Sequence, residues 1–149
     1  MGSKVNLFFE DFEIEELKEK LGKYKIIRLR CAIQFKTPTG WTKARDAIVD
    51  TGAHTTLIPL NIWKEAEVSK LTGYDVKGLS PDPACTIPVT VGEIKCVIVD
   101  EIGNQTPETD IHCLMADTDE VPLIVGFKDL LSNYKICFDY NKKEANIQI

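Results

Sequence analysis

The sequence predicts a mostly-β, barrel-like domain with one or two short helices, and three observations lead there. Its apolar runs are short and bounded by clusters of Gly, Pro, Asn and Asp. Several of those runs alternate apolar with polar residues, as half-buried strands do. Only the segment near residues 14–21 carries a clear helical period. The 149 residues are enough for one domain with a sizeable core.

In order along the chain, residues 1–22 read as an N-terminal extension and residues 23–149 as the main domain. Within the extension, Ile14, Leu17 and Leu21 fall at i, i+3 and i+7. Glu16 precedes Lys20 by one turn and Gly22 supplies a stop, so a short amphipathic helix is expected. The acidic stretch Glu10 to Glu16 reads as a solvated face whose phenylalanines can dock on the barrel or a partner. Ile26 to Phe35 is a strand, Thr37-Pro38-Thr39-Gly40 a turn, and Trp41 to Val49 the returning arm. Pro59 opens a short helix reaching Lys64-Glu65-Ala66-Glu67. Lys77 to Ala84, with two prolines and a glycine, is a loop. Thr86 to Val91 and Ile94 to Val99 are expected as a hairpin turning at Gly92-Glu93. Ile111 to Met115 is a strand, and Leu123 to Gly126 a short buried strand running into a helix over 127–133. Ile136 to Tyr140 and Ala145 to Ile149 form a last hairpin.

The sharpest chemical feature is Asp50-Thr51-Gly52. Alone it is weak, since all three residues favour turns. Its context is stronger: it follows the apolar strand end Ala47-Ile48-Val49 and is followed by Ala53 and Thr56. Some seventy residues later stands Ile124-Val125-Gly126, then Asp129-Leu130-Leu131.

The combination A-I-V-D-T-G-A-x-x-T, a hairpin, then I-V-G-x-x-D-L-L resembles the retropepsin-like, single-lobe aspartic proteases over about residues 25–149. The closing hairpin around Phe138 is similar to the cellular and retrotransposon members more than to the viral ones. The resemblance implies a closed β-barrel of the acid-protease fold, one lobe per chain. It makes Asp50 the catalytic carboxylate. Thr51 would bond across a homodimer, and Gly52 and Ala53 would offer backbone groups to a peptide. Ile124, Val125 and Gly126 form the supporting strand, and Gly78, Leu79 and Ser80 lie where a flap tip belongs.

Elementary chemistry agrees with these roles. Peptide hydrolysis without a metal or covalent nucleophile needs one group to deprotonate water and another to protonate the carbonyl. Two carboxylates about 3 Å apart share one proton and serve both purposes, as in aspartic proteases generally. Asp117-Thr118-Asp119 lacks the glycine of a second motif, so one chain holds half a site and activity requires two. Two departures stand out. His54 occupies the place of an acid in the viral enzymes, and Phe127 the place of an arginine. They favour, as the alternative, a catalytically weak or inactive dimerisation or peptide-binding module. A phosphoryl-accepting role for Asp50 would want a metal-binding acid constellation and a parallel α/β sheet, and ranks last.

Composition narrows the partners. A net charge of −5 argues against nucleic acid and anionic membranes, and the resemblance implies a peptide or protein substrate. Five scattered cysteines with no C-x-x-C pair are neither a disulfide framework nor a zinc site. A reducing, cytoplasmic setting is expected, with no cofactor and no metal. His54 and His112 read as structural.

Overall fold

The computed structural model describes residues 3–76 and 87–149. In chain order the elements are β1 (Lys4–Asn6), β2 (Phe8–Glu13), α1 (Glu15–Leu21), β3 (Lys25–Thr37), β4 (Gly40–Trp41), β5 (Arg45–Val49) and β6 (Thr56–Ile58). They continue with α2 (Leu60–Trp63), β7 (Val68–Val76), β8 (Ile87–Val99), β9 (Thr109–Ala116) and β10 (Ile124–Val125). A 3-10 turn (Leu131–Asn133), β11 (Lys135–Asp139) and β12 (Glu144–Gln148) follow. The chain is mostly β, as its short alternating runs predict.

The large sheet runs β2-β3-β5-β10-β6-β9-β8-β7, and β3 also pairs with β8, which returns the path to its start. The ring β3-β5-β10-β6-β9-β8 encloses the core. Alternation along β3 sends Cys31, Ile33 and Phe35 inward, where they meet Ala47, Ile58, Ile98, Cys113, Met115 and Val125. Phe35, Ile33 and Ile58 are fully buried, and each contributes about 1.5–3 kcal/mol by leaving water. Among the described residues the three buried threonine hydroxyls are all satisfied. Thr42, Thr56 and Thr106 accept from the amides of Phe35, Gly126 and Ile98, respectively.

β10 is the element that places the site. Although only two residues long, it lies between β5, which it parallels, and β6, which it opposes. β5 and β6 are consecutive in the main sheet's chain order, so the loop joining them must arch over the end of an inserted strand. That loop is residues 50–55.

Several elements differ from expectation. Ile87 to Val99 is one continuous strand instead of a hairpin at Gly92. Gly92 is buried, and a Cβ on it would stand 2.5 Å from Met115 Cε and 2.7 Å from the Ser69 carbonyl oxygen. The residue serves close packing between strands, which sequence alone does not separate from turn formation. The helix expected over 127–133 shrinks to one 3-10 turn, because Asp129 adopts φ 69° and breaks it. The helix after Pro59 ends at Trp63.

The amphipathic helix forms as α1, ended by Gly22 at φ 75°, yet buries none of its residues. The strands before it are more deeply engaged. β1 pairs with β12 in a second sheet of order β1-β12-β11, β2 pairs with β3, and Val5 and Leu7 belong to the main core. Phe9 stacks edge-on against Tyr140, whose hydroxyl donates to Asp11 (2.6 Å).

Candidate active site

Register fixes which side chains share a face with Asp50. Ile48 pairs with Ile124, Ile124 with Leu57, Leu57 with Leu114, and Leu114 with Val91. Paired residues project to the same face, so these five form one row across the outside of the ring. Asp50 follows Ile48 by two, and alternation carries it to that same outer face, just past the strand end. An apolar cluster of Leu57, Val89, Ala116 and Val121, with Ile87, Leu114 and Ile124 against it, covers the face.

The loop is built by short-range bonds. The Asp50 amide donates to the Val125 carbonyl (3.0 Å), and the Ala53 amide to the Asp50 carbonyl (3.2 Å). Gly52 N–H donates to Asp50 Oδ1 (2.8 Å). Among the described residues no cation pairs with the Asp50 carboxylate, and Oδ2 accepts no hydrogen bond. Thr51 and Gly52 are exposed, while Asp50 and Ala53 are half-buried. The structure thus brings Asp50, Thr51, Gly52 and Ala53 together with Ile124, Val125 and Gly126. Gly78, Leu79 and Ser80 lie outside the described residues.

The trailing side of the loop is held as firmly. Phe127 and Lys128 donate their amides to the carbonyls of Ala53 and His54, both at 2.8 Å. The Gly126 amide donates to Thr56 Oγ1 (3.1 Å). His54 is exposed and Phe127 is 48% exposed, and because Phe127 carries no charge these two positions make no ion pair with each other.

Next to that flank stands a charged group that the motif only touched. Asp129 Oδ2 accepts the His112 amide (2.9 Å) and faces His112 Nδ1 (2.8 Å). Lys128 Nζ donates to both Asp129 oxygens (2.8 and 2.9 Å) and lies 3.0 Å from His112 Nδ1. A protonated Nδ1 donates to Asp129, whereas an unprotonated one accepts from Lys128. His112 Nε2 faces Glu93 (3.4 Å). Burial works to raise the Asp129 carboxyl, but the Lys128 ammonium and the His112 donors outweigh it and hold the group far below the usual carboxylate range. The sequence signal for this group was weak: a histidine inside a strand and an Asp three residues after a glycine.

Two residues of Asp117-Thr118-Asp119 serve structure. Asp119 Oδ1 accepts the Asn61 amide (2.7 Å), and the Thr118 carbonyl accepts that of Leu60 (3.2 Å). Among the described residues no group of three or more His, Cys, Asp or Glu could hold a metal ion. Likewise, no described helix is long and apolar enough to cross a membrane.

No family model matches the chain, and no curated protein matches it in sequence. Among solved structures it is similar to EIAV protease complexed with the inhibitor HBY-793. That similarity comes at 18% identity and a TM-score of 0.46, covering 71% of this chain and 86% of the other. At that identity and score the likeness is coarse. What the site can do follows from its own geometry.

Proposed function

We propose that the chain is an aspartic endopeptidase acting as a homodimer, in which two Asp50 carboxylates, one per chain, activate a water molecule. The observation that carries this reading is the Asp50 loop itself. One carboxylate oxygen is fixed by Gly52 N–H, and among the described residues the other accepts no hydrogen bond. By strand alternation the group falls on the outer face that carries the apolar cluster, and its neighbours Thr51 and Gly52 are exposed.

A single chain offers one such carboxylate: Asp117-Thr118-Asp119 lacks the glycine, and its Thr118 carbonyl and Asp119 carboxylate accept the Leu60 and Asn61 amides. Two loops meeting about a two-fold axis would place two carboxylates in reach of one water. One carboxylate takes a proton from the water as its oxygen attacks the peptide carbonyl. The other gives its proton to the carbonyl oxygen. Proton transfer to the amide nitrogen then accompanies C–N cleavage. Among the described strands β11 is an edge of its sheet, and this edge, where Phe138 is 67% exposed, supports pairing between the two chains.

The test is hydrolysis of a degenerate peptide library by the unsubstituted chain and by Asp50→Asn. Cleavage that follows a bell-shaped pH profile, survives a chelator and disappears in the variant is the expected result. A second reading, a dimeric peptide-binding module without hydrolysis, draws on His54 and Phe127, which make no ion pair with each other. Peptides bound but left intact would favour it.

A further inference from the structure

We infer that Asp129 is a positioning residue for the Asp50 loop, clamping the segment after β10 to β9; this rests on the aspartic-endopeptidase reading. Residues 125–128 make four bonds to the loop and its exit: Val125 carbonyl to Asp50 amide, Gly126 amide to Thr56 Oγ1, and the Phe127 and Lys128 amides to the Ala53 and His54 carbonyls. The height of the loop over the ring is therefore set by where this segment sits. β10 alone holds it weakly, because its ladder is two residues long on one side and one pair on the other.

Asp129 adds a polar anchor to the apolar ones that Val125, Leu130 and Leu131 provide. β6 begins at Thr56, whose partner on β9 is Cys113, so the His112 amide lies just before that ladder starts. The Asp129 carboxylate accepts this amide and reaches past β6 to do so. Lys128 and the His112 ring fix the carboxylate in turn, and Glu93 extends the group to β8. Asp129 holds a positive φ of 69°, and from that backbone its carboxylate reaches the His112 amide on β9. Leu130 and Leu131 are then buried directly behind it, which prevents the segment from sliding. Asp129 touches no reacting atom; it acts through the backbone that holds Asp50.

Three substitutions separate this role from a general one. Glycine accepts the positive φ but has no acceptor, whereas asparagine tolerates that φ and keeps an oxygen for the His112 amide. Asp129→Gly should lower kcat on the order of 10- to 100-fold with KM nearly unchanged, as expected for a displaced catalytic group. Asp129→Asn should restore kcat to within about threefold of the unsubstituted chain. Exchange of the amides that tie segment and loop together, those of Asp50, Gly126, Phe127 and Lys128, should quicken at least about tenfold in the glycine variant and not in the asparagine variant, with Cys31 and Ile33 unchanged. Should the glycine variant not fold, Asp129→Glu replaces it, since its carboxylate overshoots the amide by one methylene. Asparagine no better than glycine or glutamate, a change in KM alone, or unaltered loop exchange would each overturn the inference. Absence of hydrolysis by the unsubstituted chain would instead count against the protease reading, and the exchange rates would still decide the clamp.

Discussion

Gly126 lies against Thr55 with no room for a side chain: a Cβ there would stand 2.6 Å from the Thr55 carbonyl carbon and 2.8 Å from its oxygen. Both atoms are backbone, so no rotamer change relieves the contact. Gly126→Ala should therefore push the strand and the Asp50 loop apart. A loss of about 1–3 kcal/mol in urea unfolding is expected, with hydrolysis falling further than stability alone explains. Stability within about 0.5 kcal/mol, with full activity, would show that the contact is not tight.

Asp50→Asn is nearly isosteric and should leave fold and association intact while removing one carboxylate of a shared pair. With three variant chains per unsubstituted chain and random pairing, about one dimer in sixteen keeps both aspartates. Activity per chain should drop to roughly one-sixteenth, because the pair works as a unit. Roughly one-quarter, with exchange verified by native mass spectrometry of tagged chains, would rule out a shared pair.

The depressed Asp129 carboxyl links stability to pH. Its folded value lies below the unfolded one of about 3.9, so the stabilisation is fully present above that pH and is lost as pH falls toward the folded value. Asp100 contributes in the same sense. Burial works to raise its carboxyl, but the amides of Asn6, Asn104 and Ile102 and the Asn104 side chain hold it below its ordinary value. Chemical unfolding at pH 6 and pH 3 should show a smaller acid loss in Asp129→Asn than in the unsubstituted chain. Equal losses would mean that this carboxyl is not depressed in the folded state.

Thiol chemistry should divide the cysteines by burial. Cys31, Cys96 and Cys113 are buried and free, and burial pushes Cys96 and Cys113 up to about 12. Cys137 on β11 is only half-buried. Iodoacetamide at pH 8, read by peptide mapping, should label Cys137 well before those three. Prior labelling of Cys113 would indicate that β9 opens more readily than its packing implies.

The sequence by itself determined the mostly-β class, the turn at Thr37–Gly40, the closing hairpin and the Asp50-Thr51-Gly52 loop after an apolar strand. Each of those signals is local, a period of two or a cluster of turn residues, and local signals survive in a linear reading. It also singled out Ile124-Val125-Gly126 as the partner of the loop, through resemblance and not through any rule of spacing. Only the tertiary structure decided that β10 is inserted between β5 and β6, and that Gly92 serves packing instead of a turn. It alone engaged Val5 and Leu7 in the core, although they stand at the start of what reads as an extension. The same is true of the row Ile48-Ile124-Leu57-Leu114-Val91 and of the His112–Asp129 bond, which join residues far apart in the chain. Such pairings depend on register between strands, and a polar side chain in a strand gives no sign of which distant amide it will satisfy.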